Sequence, residues 1–242
     1  MLKIVIADSY DQVSEEAFKI MRQVVEKENP VLGLATGSTP VGLYKKMIAD
    51  HKTNGTSYKN AITFNLDEYV GLPRNHEQSY YTFMHDNLFN EIDVPEENIH
   101  IPNGEAADAE AECVRYESEM AKYVVDVQVL GIGSDGHIAF NEPGAAFDSL
   151  THTMELTEQT RKDNARFFGG DIEQVPTLAI TQGLGTIMRA KKIILIATGA
   201  NKADAVYGMI KGPKTTECPA SILQDHPDVT VILDEEAAAK IK

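Results

Sequence analysis

Six short apolar-rich runs punctuate this chain, at 2–7, 31–35, 62–66, 125–131, 193–197 and 229–233. Each is rich in Val, Ile or Leu and lacks the strict polar alternation of a strand with one wet face. Such runs suit parallel strands covered on both sides, where every side chain meets a packed layer. Between them the spacing is helical: Val13, Ala17, Ile20, Met21 and Val24 share one face, as do Ala203, Val206, Tyr207 and Ile210. Strand–helix alternation from end to end predicts an α/β fold, a doubly wound, mostly parallel sheet with helices on both faces. No repeat or linker divides the 242 residues, so a single α/β domain is expected. The alternation breaks at 139–180, where Asn141, Pro143, Gly144 and the Gly169-Gly170 pair interrupt it. That segment is expected to be an irregular, lid-like insertion.

Charge narrows the partners. Twenty-two Lys and Arg stand against 37 Asp and Glu, a net charge of −15. Such a surface repels nucleic acid and anionic lipid, so an anionic ligand must be caught by a few locally placed cations. The first apolar run ends at Asp8, too early for a signal peptide or a membrane span, and a cytoplasmic location is expected. Cys113 and Cys218 have no CxxC spacing, which argues against a disulfide framework or a zinc finger. Cys113 reads as packing within a helix over 107–122, and Cys218 as a loop residue before Pro219; neither has an evident activating base.

In open α/β sheets, ligands bind beyond the carboxyl ends of the strands, so the residues just after each run matter most. Thr36-Gly37-Ser38-Thr39-Pro40 comes after the second run, and Asp67-Glu68-Tyr69 after the third. Ser134, Asp135, Gly136 and His137 come just after the fourth, and Thr198 to Lys202 after the fifth. The first and last runs end in plain material, Asp8-Ser9 and Asp234-Glu235. Four strand ends therefore carry hydroxyls, glycines, carboxylates, a His and a Lys.

Each motif has a chemical and a structural reading. Thr36, Gly37, Ser38 and Thr39 precede a helix expected to start at Pro40, and free N–H groups, hydroxyls and the helix dipole would cradle a phosphate. The same residues could form an ordinary capping turn. No Gly-Lys-Ser/Thr comes next, so this is not a P-loop. Gly131, Gly133 and Gly136 match a dinucleotide-binding spacing, but Pro143 and Gly144 stop the long helix that motif needs. The better reading of 135–142 is a catalytic loop in which Asp135 and Glu142 flank His137, fixing its tautomer and leaving one ring nitrogen for proton transfer. A capping Asp beside an exposed His is the bland alternative. A metal site is another, although the spacing matches no established zinc or iron pattern. Asp67 sits where burial would raise its pKa and make it a base for a carbon-bound proton, or it is a turn residue. Arg166 and Lys202 could neutralise a phosphate or simply be surface charge.

Taken together, LGLATGSTP at 32–40, FNLDEYVG at 64–71, LGIGSDGHIAFNEPG at 130–144 and TRKDNARFF at 160–168 resemble the glucosamine-6-phosphate deaminase (isomerising) family. The similarity runs in order across nearly the whole chain, and the pairing of LDEY with GHIAFNEP is its most specific part. Related 6-phosphogluconolactonases share a GxGxDGHxA-like loop but typically continue differently after it, which makes Glu142 the discriminating residue.

The resemblance implies a cofactor-free, metal-free conversion of glucosamine 6-phosphate and water to fructose 6-phosphate and ammonia. It assigns ring opening to His137 with Asp135 and Glu142, and removal of the C2 proton to Asp67. It assigns phosphate contact to Arg166, Lys202, Ser38 and Thr39. Ser38 departs from the Gly of many relatives. The partner is then a small phosphosugar; a homo-oligomer is possible but not required. A lactonase on the same fold, or a non-catalytic sugar-phosphate sensor, are the alternatives. Retention of Asp67 and His137, and the −15 charge, count against a sensor. Allosteric members of this family carry an Arg-x-Lys pair at the positions of 151–155 and a C-terminal extension. This chain reads Thr151-His152-Thr153-Met154-Glu155 and stops at Lys242, so a short, non-allosteric type is expected.

Overall fold

A computed structural model describes residues 2–242. In chain order its first half contains β1 (Lys3–Ala7), α1 (Tyr10–Val25), β2 (Val31–Leu34), α2 (Val41–Asn54), β3 (Ile62–Asn65), β4 (Asp67–Tyr69), α3 (Tyr80–Asn87), β5 (Ile99–His100) and α4 (Ala109–Met120). The second half contains β6 (Val127–Leu130), β7 (His152–Glu155), α5 (Glu158–Ala165), β8 (Leu178–Thr181), α6 (Leu184–Ile187), β9 (Ile193–Ala197), α7 (Ala203–Lys211) and β10 (Val229–Asp234). All six apolar runs form strands.

Seven strands make one sheet in the order β1-β10-β9-β6-β2-β3-β5, and every neighbouring pair is parallel. β2, β6 and β9 are buried at every position, which requires packed layers on both faces. From β2 the chain proceeds to β3 and β5 on one side, whereas β6 leads to β9 and β10 on the other. The order reverses between β2 and β6, which places a crevice at their carboxyl ends. β9, β6, β2 and β3 are consecutive neighbours, and the candidate chemistry lies just beyond these four strands.

The helices dock as their apolar spacing directs. On α1, Val13, Ala17, Met21 and Val24 are buried, with Ser9 capping the helix by accepting from the Gln12 N–H. α7 departs in one respect: its buried face runs through Ala203, Val206 and Met209, so Tyr207 falls at the rim and is 48% exposed. No helix among the described residues is long and apolar enough to cross a membrane.

The segment 139–180 carries more regular structure than the sequence suggests. It supplies α5, β7 and β8, and β8 pairs antiparallel with both β7 and β4 in a separate three-stranded sheet. A small apolar core of its own, including Tyr69, Phe140, Leu156, Phe168, Val175 and Ala179, lies beneath it. β7 and β8 escape sequence reading because His152–Glu155 is polar and partly exposed, and each strand has only four residues.

Candidate active site

A cavity of about 550 Å³ opens at the carboxyl ends of β2, β3, β6 and β9. The turns after these strands form its floor, and α5 with the residues just beyond it forms one wall. Of the sequence-derived candidates, Thr36, Gly37, Ser38, Thr39, Asp67, His137, Arg166 and Lys202 line it directly. Asp135 and Glu142 stand behind His137.

Asp67 opens β4, with only Leu66 between it and the end of β3. Its residue is only 6% exposed, yet the carboxyl reaches the cavity wall. Burial, reinforced by the neighbouring charge of Glu68, pushes its pKa up to about 8. Glu68 points the other way and accepts hydrogen bonds from the backbone N–H groups of Tyr69, Tyr80 and Tyr81. Burial still raises Glu68 to about 7 against those three donors. Two adjacent carboxyls thus have separate tasks: Glu68 anchors the start of α3, and Asp67 faces the cavity.

His137 lies after β6 in a loop that forms no helix, which removes the dinucleotide-binding alternative. Its Nδ1 lies 2.8 Å from Asp135 Oδ1 and 3.8 Å from Glu142 Oε2. The first contact is at ion-pair distance but off the axis of a ring N–H bond, so Nδ1 and Glu142 Oε2 both lack an aligned partner. Burial pushes the Asp135 carboxyl up, but the His137 imidazole and backbone N–H outweigh it and hold the group at about 2. Glu142 is buried, with Oε1 held at 3.3 Å by both the N–H and the hydroxyl of Thr157. One atom from each of Asp135, His137 and Glu142 lies within 4.8 Å of the others, a spacing that also suits a metal ligand set. A carboxylate beside one ring nitrogen is also the arrangement of a proton relay.

The candidate phosphate loop keeps its donors free. α2 begins at Val41, with Pro40 as its cap rather than its first residue, and no side chain caps it. The Ser38 and Thr39 hydroxyls are therefore not used as helix caps. Among the described residues, the N–H groups of Gly37, Ser38 and Thr39 have no acceptor. Gly37 has φ +93°, a conformation that favours glycine. Across the cavity, neither Arg166 nor Lys202 has an ion-pair partner among the described residues. Burial lowers the Lys202 pKa, with Asp163 opposing and Arg166 adding to the shift. Both cations line the cavity, where their charge could be met by an anion.

The structure also supplies residues that sequence reasoning passes over. Tyr69, Tyr80, Phe140 and Phe168 form an aromatic cluster at the cavity wall. Asn164 of α5 donates to the Tyr69 hydroxyl at 3.1 Å, tying the helix to β4. Gln182 is a buried bridge: its N–H donates to Leu66 O, its Nε2 to Asn65 O, and its carbonyl accepts from Asn141 Nδ2. It joins the chain before Asp67 to the loop after His137. Glu68 had a signal in its adjacency to Asp67, whereas nothing in the sequence brings residue 182 beside residues 66 and 141. Cys113 is buried in α4, and Cys218 lies in a loop.

Known proteins share both this sequence and this architecture. The family model for glucosamine-6-phosphate isomerases/6-phosphogluconolactonase matches residues 7–232. A glucosamine-6-phosphate deaminase of Thermoanaerobacter pseudethanolicus is 52% identical over 242 residues, covering 99% of this chain and 95% of that protein. Glucosamine-6-phosphate deaminase 2 of Bacillus subtilis is 49% identical, covering 100% of this chain and 98% of that protein. The solved structure of a monomeric glucosamine-6-phosphate deaminase superposes with a TM-score of 0.96 at 44% identity, covering 98% of this chain and 99% of that one. A 6-phosphogluconolactonase from Trypanosoma cruzi shares the fold, with a TM-score of 0.81 at 23% identity and coverage of 100% and 97%. The sequence match over almost its full length, carried on this sheet and this cavity, shows that the chain belongs to the glucosamine-6-phosphate isomerase/6-phosphogluconolactonase family.

Proposed function

We propose that this chain converts glucosamine 6-phosphate and water to fructose 6-phosphate and ammonia, and that the cavity at the strand ends is where it does so. The observation that carries this reading is the pairing of a buried carboxyl of raised pKa with a carboxylate-flanked His on one cavity. Two unpaired cations and a turn of free N–H groups stand on the same cavity.

The phosphate is held by Arg166, Lys202 and the turn 36–39, which fixes the sugar with its other end toward Asp67 and His137. His137, backed by Asp135 and Glu142, moves a proton between the anomeric hydroxyl and the ring oxygen, so the C1–ring oxygen bond breaks and the open aldehyde forms. Asp67, as carboxylate, takes the C2 proton while the C1 oxygen takes a proton from the ammonium on C2, giving an enolamine. It returns the proton to C1, leaving an iminium at C2. Water adds to C2, the C–N bond breaks, and ammonia leaves behind a ketone. Every step is a proton transfer or a hydrolysis, within reach of the side chains present.

The segment 139–180 serves as a lid of a single domain, because α5 and the turn after it wall the cavity. That a structure of the same architecture is described as monomeric supports the reading that an oligomer is not required. The action is cytoplasmic on this reading. Incubation with glucosamine 6-phosphate should release ammonia and fructose 6-phosphate in equal amounts. Hydrolysis of 6-phosphogluconolactone without ammonia release from the amino sugar would select the lactonase instead, and binding without turnover would select a sensor.

A further inference from the structure

Tyr10 lies outside the cavity, at the start of α1, and is 40% exposed. Its hydroxyl nevertheless meets the phosphate loop at three points. It is 2.9 Å from Ser38 O, 3.0 Å from Thr39 O, and accepts from the Gly42 N–H at 2.8 Å. A phenol has one proton and two lone pairs, so the hydroxyl donates to one of the two carbonyls at a time while accepting from Gly42. α1 reaches this position because residue 42 has no side chain: a Cβ there would meet Ser14 Oγ at 2.0 Å and the Tyr10 ring at 3.0 Å.

In a planar trans peptide the C=O and the next N–H point in opposite directions. With the Ser38 carbonyl turned to Tyr10, the Thr39 N–H is turned away from Tyr10, and Thr39 lines the cavity. That N–H has no acceptor among the described residues. The Thr39 carbonyl precedes Pro40, which has no N–H to lose. The hydroxyl therefore pins one end of the turn while Pro40 and the Gly42 bond fix the start of α2.

We propose that Tyr10 is a positioning residue of the anion-binding turn, holding the Ser38–Thr39 peptide so that its N–H faces the bound phosphate. This rests on the reading of turn 36–39 as the phosphate cradle. The contact comes from a helix that takes no part in the cavity, so its loss acts on phosphate capture and not on proton transfer.

The test compares Tyr10→Phe with Gly37→Ala, using inorganic phosphate as the probe by calorimetry and steady-state kinetics with glucosamine 6-phosphate. Tyr10→Phe keeps the ring and loses the hydroxyl. Its phosphate affinity should fall about 3- to 10-fold, with a matching rise in KM and a smaller change in kcat. Gly37→Ala strains the turn without a clash, since a Cβ there meets nothing within 4 Å, and should also weaken phosphate. Normal phosphate affinity in Tyr10→Phe alongside loss in Gly37→Ala overturns the role of Tyr10 and leaves the cradle standing. Normal affinity in both overturns the cradle and the proposal with it. A fall in kcat equal to the rise in KM, with a lowered melting temperature, shows general damage and also overturns it.

Discussion

Asp67 and Thr181 sit directly opposite each other in the antiparallel pairing of β4 with β8. The Thr181 hydroxyl accepts from the Phe140 N–H at 3.1 Å, so the strand paired with the candidate base also holds the loop beyond His137. Thr181 is fully buried, and Thr181→Val would leave the Phe140 N–H without its acceptor. An unsatisfied buried donor costs about 1–3 kcal/mol. Thermal unfolding should show Tm lowered by roughly 2–4 °C per kcal/mol for a chain of this size. An unchanged Tm would mean that the loop does not depend on this contact.

A base must be deprotonated to act. With the Asp67 pKa pushed up to about 8, kcat/KM should rise with pH toward that value. The folded state binds this proton more tightly than the unfolded chain, whose carboxyl titrates near the ordinary value. The stabilisation from protonated Asp67 is therefore complete below about pH 4 and lost as pH rises through about 8. Asp67→Asn should lower kcat by ~10²–10⁴ and flatten that part of the stability profile. Turnover near the wild-type rate would remove Asp67 from the role of base.

His137→Gln separates ring opening from the carbon–proton step. It should slow turnover of glucosamine 6-phosphate while sparing an open-chain analogue that cannot cyclise. Glu142→Gln should give a weaker form of the same pattern, since Glu142 Oε2 stands 3.8 Å from the imidazole and acts through it. Equal losses on cyclic and open-chain compounds would place His137 in the later step.

Arg166→Ala and Lys202→Ala should each weaken inorganic phosphate and the phosphosugar. A bond to a charged group contributes roughly 1.5–3 kcal/mol, or about 10- to 150-fold in affinity. Calorimetric titration with phosphate reads this directly. Unchanged affinity in both variants would move the anion elsewhere.

Much of this arrangement is legible in the sequence because a parallel sheet imposes a rule. Apolar runs mark the strands, and the turns after them lie at the carboxyl edge, so Thr36, Asp67 and His137 could be placed together on one cavity from their positions. The small sheet is not legible. β4 begins after a single intervening residue, Leu66, and β7 and β8 are too short to establish a period. Gln182 and Tyr10 act through bonds spanning 117 and 28 residues of sequence, and spacing rules reach only neighbours on one element. The residues that line the cavity could be read locally, whereas the long-range bonds that brace them could not.

Regulation gives the last prediction. Within segment 151–155, His152–Glu155 forms β7, the edge of the small sheet. An activator bearing a phosphate would need cations there, and the segment provides neither Lys nor Arg. His152 Nδ1 lies 2.7 Å from Leu150 O, and Thr153 donates to Glu110, which brings a carboxylate alongside Glu155. Thr151 is bonded to another carboxylate, Glu117, through both its N–H and its hydroxyl. Glu117 is itself paired with Arg189, but Glu110 and Glu155 have no ion-pair partner among the described residues. The segment therefore offers a phosphate no net attraction, and without differential binding to two states no allosteric coupling arises. Rate against glucosamine 6-phosphate should be hyperbolic, and N-acetylglucosamine 6-phosphate should leave its shape unchanged. A sigmoidal curve made hyperbolic by that compound would show a phosphate site that this surface does not offer. His152→Arg together with Met154→Lys should confer weak binding of the compound at most, because the unpaired carboxylates Glu110 and Glu155 would remain beside it.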